Sequence, residues 1–217
     1  MARLLGHDRR AETVTATVAA FDLDGTLTDR DCLIPFVTAL VGRRTLASAL
    51  AKHIIRKPAS VRDRDQLKAV TALTLSGVEH EVATMRAEAF ITDHVMGWLR
   101  SDTLARLNQH QSAGHHVVIV SASFEIYVSR LAERLGVDYL ATRLDVDDGR
   151  LTGRLIGPNC RGDEKVTRLT EYVRQRLDAH LDDVELYAYG DSAGDRPLLD
   201  IADHACFVRR VDRWSPV

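Results

Sequence analysis

Apolar and polar residues fall in blocks along this chain. Three β-branched-rich apolar runs each end in a polar cluster. Thr13 to Phe21 runs into Asp22-Leu23-Asp24-Gly25-Thr26. Val117 to Val120 runs into Ser121-Ala122-Ser123, and Val184 to Tyr189 runs into Gly190-Asp191-Ser192. Short continuous runs of this kind predict strands buried on both faces of a parallel sheet. Between them, Phe124 to Leu135 carries Ile126, Val128, Leu131, Ala132 and Leu135 at helical spacing, and Gly136 stops it. Glu164 to Leu177 repeats the pattern with Val166, Leu169, Tyr172, Val173 and Leu177. A further helix over Pro197 to Ile201 and a short strand near Ala205 to Val208 complete the alternation.

Strand and helix in alternation predict an α/β protein with a doubly wound, mainly parallel, Rossmann-like sheet. Ligands bind such sheets beyond the carboxyl ends of the strands, where all three polar clusters fall. Two insertions interrupt the pattern. Residues 31–109 are far too long for an ordinary crossover and read as a helical cap, broken at Gly42, Pro58 and Gly77. Residues 141–157 carry Asp148-Gly149 between alternating flanks, a hairpin signal. The expected domains are therefore an α/β core over 14–30 and 110–212, a cap over 31–109, and a β-hairpin over 141–157 within the core.

Composition narrows the function. The 217 residues carry a formal net charge of −2, which gives no general drive toward nucleic acid. Cys32, Cys160 and Cys206 form neither a CxxC pair nor a disulfide framework. They read as small apolar fillers in a reducing, cytoplasmic setting. The start, MARLLGHDRRAE, lacks the apolar stretch of a signal peptide, and no segment reaches the roughly 18 apolar residues of a spanning helix. Arg43, Arg44, Lys52, Arg56, Lys57, Arg62 and Arg64 crowd one cap segment. They read as a solvated face, with an anionic substrate or membrane surface as the sharper alternative. His115 and His116 stand at the opposite end of the second strand and read as structural.

The clusters carry the chemistry. Asp22 and Asp24 lie two apart after a strand, so both can approach one site if the backbone stays extended. They could hold a hard cation or serve as nucleophile and acid/base, and a plain turn is the alternative. A calcium loop is excluded, because Leu33 stands where its twelfth position needs Glu. Asp191 and Asp195 add two acids at another strand end, where helix capping is the simpler reading. Four acids at one edge would repel without a cation, and Mg²⁺ suits them because it also accepts phosphate oxygens. Ser121, with the backbone of Ala122 and Ser123, makes a phosphate cradle or, alternatively, a helix cap. Lys165, early in a helix, is either a solvated surface lysine or the positive charge that a phosphate beside four carboxylates requires. The absence of a Gly-x-Ser-x-Gly elbow, a Walker loop and a GxGxxG fingerprint disfavours serine hydrolases and nucleotide binders.

Taken in order, FDLDGTLT, VIVSAS, a lysine and YGDSAGD resemble the haloacid dehalogenase superfamily of phosphohydrolases. The cap after the first motif and the hairpin before the lysine are similar to its phosphoserine-phosphatase-like branch. The resemblance implies a Mg²⁺-dependent phosphatase of a small phosphomonoester. Asp22 would attack phosphorus, and Asp24 would serve as acid and then base. Ser121 and Lys165 would bind phosphoryl oxygens, with Arg161 as the fallback cation. Gly25, Thr26, Ala122 and Ser123 would line the substrate site. The metal would be held by Asp22, the Asp24 carbonyl and Asp191, with Asp195 and Ser192 around its water. Phosphoserine enzymes of the branch carry Glu where Asp31 aligns, Arg near Lys68, and Asn at Gly194. These departures weaken phosphoserine as the substrate. A lipid or polyol phosphate, or transfer to an acceptor, stands as the alternative.

Overall fold

The computed structural model describes residues 16–57 and 63–208. Thr13 to Thr15 of the expected first strand, the Pro58 break, Arg62, and the ends of the expected core at 14–15 and 209–212 lie outside them. The elements run β1 (Ala16–Phe21), α1 (Leu33–Val41), α2 (Arg43–Arg56), α3 (Arg64–Leu73), α4 (His80–Asp93) and α5 (Ser101–Ser112). They continue with β2 (His116–Phe124), α6 (Glu125–Leu135), β3 (Asp138–Asp147), β4 (Arg150–Ile156), α7 (Asp163–Leu177), β5 (Val184–Gly190), α8 (Arg196–Asp200) and β6 (His204–Phe207).

The strands form one sheet in the order β4-β3-β2-β1-β5-β6. Every pairing is parallel except β3 with β4. Strand side chains alternate between two cores, as a sheet covered on both faces requires. Ala19, Phe21, Val117 and Ile119 pack with Tyr127, Val128 and Leu131 of α6. Val18, Ala20, Val118 and Val120 pack with Leu169 and Val173 of α7 and Leu198 of α8. This is the doubly wound α/β fold expected from the sequence.

The register brings the polar clusters together. Phe21 pairs with Ile119 on one side and with Tyr189 on the other, so Asp22, Ser121 and Gly190 emerge at the same sheet edge. Phe21 and Tyr189 also stack in parallel at 4.3 Å, and the Asp22 N–H donates to the Tyr189 carbonyl at 2.9 Å. Stacked rings resist slippage between the two strands, which holds their loops in register. At the far end, His115 meets His110, Nδ1 to Nδ1, at 2.8 Å, away from the clusters.

The two insertions support each other, a feature absent from the sequence pattern. The hairpin turns at Asp148-Gly149, and its β4 strand packs on α3. The Gly77 N–H donates to the Leu151 carbonyl at 2.8 Å, and the Leu151 N–H to the Val78 carbonyl at 2.8 Å. Gly153 lies so close to α3 that a Cβ there would come within 3.0 Å of the Leu73 Cα. Helix α5 packs on β2, so the end of the long insertion lies against the sheet. The cysteines divide. Cys32 and Cys160 are buried, but Cys206 is exposed, which corrects the apolar-filler reading there. The reason is position: β6 is an edge strand. No single described helix is long and apolar enough to cross a membrane.

Candidate active site

A cleft of about 550 Å³ opens between α1–α3 and the carboxyl edge of the sheet. Asp22, Asp24, Ser121, Ala122, Lys165, Asp191, Ser192 and Asp195 line its core side, and Asp31 and Lys68 its cap side.

The first cluster does not continue β1. Residues 22–28 turn back on themselves: the Thr26 N–H donates to the Leu23 carbonyl at 3.2 Å, and the Leu27 N–H to the Asp22 carbonyl at 3.3 Å. Gly25 sits at φ +93°, and a Cβ there would overlap the Asp191 carboxylate. Glycine is thus required both by its backbone conformation and by the close approach of Asp191. Thr26 is fully buried beside it. A turn, not an extended strand, therefore brings Asp22 and Asp24 to the same cleft, and the two carboxylates take different partners there.

Asp22 faces Lys165. The lysine is 1% exposed and donates to Asp22 Oδ1 and Asp195 Oδ1, each at 2.6 Å. Arg161, the fallback, makes no such contact. Burial pulls the Lys165 ammonium down, but the two carboxylates outweigh it and hold the group above its ordinary range. Burial pushes Asp22 up to about 7, with Lys165 opposing the rise. Burial also works to raise Asp195, yet the Lys165 charge and the Lys165 and Ser192 hydrogen bonds leave it below the usual carboxylate value. Ser192 donates to Asp195 Oδ2 through its N–H at 3.0 Å and its hydroxyl at 2.7 Å. Helix α8 begins at Arg196 with Asp195 at its cap position, so Asp191 and Ser192, the expected caps, lie before it, and Asp195 makes no side-chain capping bond.

Asp24 is held elsewhere. Its Oδ1 accepts the Cys32 N–H at 2.7 Å, and its Oδ2 accepts a hydrogen bond from the Ser123 hydroxyl. Burial first, and then the nearby Asp31 charge, push its carboxyl up. Ser123 owes this position to a register shift in the β2–β3 pairing between Ser121 and Phe124. Such an irregularity re-aims a side chain at a strand end. The strand continues to Phe124, and neither serine caps α6. Ser121 is 1% exposed and accepts the Ser123 N–H at 3.1 Å.

The cap side carries charge and apolar surface together. Lys68 is 7% exposed, with its ammonium 4.8 Å from the Phe124 ring centre. Burial pulls it down to about 8, against the pull of Asp24, Asp31 and Asp65. Asp31 accepts the Ile34 N–H at 3.1 Å. Leu33, Ile34, Leu50, Ile54 and Leu67 form an aliphatic part of the wall. Several contributors escaped sequence reasoning. Arg64, read within a solvated face with an anionic substrate or membrane surface as the alternative, lines the cleft. Asn159 donates to Asp65 of α3 at 2.6 Å and ties cap to core. No motif marks either residue; only the tertiary packing brings them in.

Asp22, Asp191 and Asp195 each offer an oxygen within 4.8 Å of the others, so the edge can hold a divalent cation. Asp24's carboxylate is not in this group.

A family model described as haloacid dehalogenase-like hydrolase matches residues 19–200. Protein CicA of Caulobacter vibrioides is 36% identical over 214 residues, covering 92% of this chain and 88% of that protein. A phosphoserine phosphatase of Polaromonas sp. is 33% identical over 198 residues, covering 86% and 78%. Among solved structures, a Bordetella pertussis Tohama I protein of unknown function superposes with a TM-score of 0.72 at 26% identity, covering 86% of this chain and 87% of that one. The chain belongs to the haloacid dehalogenase-like hydrolases, in their phosphoserine-phosphatase-like branch. Its activity class is that of the family's phosphatases.

Proposed function

We propose that this protein is a Mg²⁺-dependent phosphomonoesterase that passes the phosphoryl group through Asp22 to water. The observation that carries the reading is the buried Asp22–Lys165–Asp195 array on the cleft floor, with Asp191 close by. An Asp22 oxygen attacks phosphorus, the bond from phosphorus to the alcohol oxygen breaks, and Asp24 gives that oxygen its proton. Water then attacks the aspartyl-phosphate, Asp24 takes the water's proton, and inorganic phosphate leaves with Asp22 restored. The raised carboxyl of Asp24 supports the first, protonated role. The Cys32 N–H and the Ser123 hydroxyl fix its direction. Lys165 and Ser121 bind the phosphoryl oxygens that develop charge during transfer.

The donor set fits Mg²⁺: hard carboxylate oxygens gather at one edge, and Gly25 leaves room for Asp191 where a side chain would collide. Asp22, Asp191 and the Asp24 carbonyl would hold the ion, and Asp195 with Ser192 would orient its water. When bound, the ion neutralises phosphoryl charge and helps keep Asp22 ionised.

For substrate, Asp31 and Lys68 give the cleft opposite charges suited to a small zwitterionic alcohol, as in phosphoserine. The aliphatic wall favours a second reading, an alcohol with an apolar part such as a lipid phosphate. The test is phosphate release with Mg²⁺ across phosphorylated amino acids, sugars, polyol phosphates and lysophospholipids. Release from none of them would refute the reading. Phosphate appearing on an added alcohol in place of water would make the protein a phosphotransferase.

A further inference from the structure

Arg30, Arg100, Arg130 and Arg168 are partly buried, and each pairs with a carboxylate: Asp29, Asp102, Glu133 and Glu164 respectively. Arg161 is partly buried too, yet among the described residues no carboxylate pairs with it. It lines the substrate cleft. Its backbone is fixed in the turn that leads into α7: the Arg161 N–H donates to the Asn159 carbonyl at 2.7 Å, and the Gly162 N–H to the Gly194 carbonyl at 2.9 Å. The side chain lies over Gly194, where a Cβ would come within 3.0 Å of its Nε and 3.1 Å of its Cγ. Gly194 therefore makes the space that Arg161 fills. A half-desolvated guanidinium without a counter-ion is unfavourable, and a substrate anion would relieve it. Lys68 and Arg64 line the same cleft from α3. The transferred phosphoryl has its own cation in Lys165, which touches Asp22, so Arg161 is available to another part of the substrate.

We infer that Arg161, in the space left by Gly194, is a specificity residue that binds a second anionic group, a carboxylate or a phosphate, on the alcohol portion of the substrate. The inference rests on the phosphomonoesterase reading above. Arginine suits this task because its planar fork grips either oxyanion through two hydrogen bonds.

The test uses the Mg²⁺-supplied full chain and three substrates on one two-carbon frame: ethyl phosphate, phosphoglycolate and ethanediol bisphosphate. The wild type should favour at least one of the anionic pair over ethyl phosphate in kcat/KM. Arg161→Met should shrink that preference by about ten- to hundredfold, the scale of lost charge-assisted hydrogen bonds. Arg161→Lys should fall between the two, and Gly194→Ala should reduce the same ratio by displacing the guanidinium. Whichever anionic substrate loses its advantage identifies carboxylate or phosphate as the group read. Thermal unfolding checks that each variant is folded. The inference is overturned if the wild type shows no preference, or if Arg161→Met lowers all three substrates equally, which would put Arg161 on the transferred phosphoryl. Release from none of the three by the wild type would instead count against the phosphomonoesterase reading.

Discussion

Lys68 offers a sharp test of the cleft's electrostatics, because burial acts there against charge. Its ammonium is drawn from the ordinary value of 10.5 down to about 8. At about 1.4 kcal/mol per unit, that fall places roughly 3 kcal/mol of strain on the folded state at neutral pH. Lys68→Met keeps the volume and removes the charge. It also gives up the contact with the Phe124 ring, worth about 1 kcal/mol, and leaves Asp24 and Asp31 without a neighbouring cation. The expected net result at pH 7 is a gain of about 1–2 kcal/mol, set by the larger burial term. The sign of the pH dependence follows from linkage. Between about 8 and 10.5 the unfolded lysine keeps its proton while the folded one sheds it. Wild-type stability from this group therefore rises by up to roughly 3 kcal/mol across that window, so the advantage of Lys68→Met falls through zero and reverses. Urea unfolding of both proteins from pH 7 to 10.5, with chelator present to exclude metal effects, measures the difference directly. A variant less stable than wild type by the same amount at every pH would refute the reasoning.

Other substitutions separate the parts of the site. Asp22→Asn should abolish phosphate release while circular dichroism stays native; surviving turnover would remove Asp22 from the chemistry. Ser123→Ala should lower kcat by about ten- to hundredfold with little change in KM, since it frees one oxygen of Asp24 without touching the wall of the cleft. An unchanged kcat would mean the Cys32 N–H alone fixes Asp24. Gly25→Ala should weaken cation dependence most, raising the Mg²⁺ concentration needed for half-maximal activity by at least about tenfold, because its Cβ meets Asp191. An unaltered Mg²⁺ titration would argue that Asp191 does not hold the ion.

The sheet was legible in the sequence because burial on both faces leaves continuous apolar runs, and each run here ends where the chemistry begins. The hairpin was legible from Asp148-Gly149. The cooperation between hairpin and cap was not, since its main-chain hydrogen bonds around Gly77 and Leu151 and the Arg150–Glu79 ion pair join segments far apart in the chain. The acidic residues were found by motif, but their grouping was not fully foreseen. Asp22 and Asp24 were brought together by an extended-strand argument, whereas a turn at Gly25 sends Asp24 toward Ser123 and leaves Asp22 with Asp191 and Asp195. Ser123 was read through its backbone as part of a phosphate cradle, and no pattern in the sequence showed that its hydroxyl donates to Asp24. Arg161 and Lys165 competed for one role in the sequence. A helix that begins at Asp163 puts Lys165 on its inward face, where it reaches Asp22, and leaves Arg161 in the turn before it.

The central claim, that Asp22 carries the phosphoryl group, can be tested by stopping turnover with borohydride, which reduces an aspartyl-phosphate to homoserine. Mass spectrometry of the peptide spanning Asp22 should then find homoserine at position 22 only when substrate and Mg²⁺ are both present. Phosphate released at full rate, with Asp22 unmodified at every quench time, would contradict it.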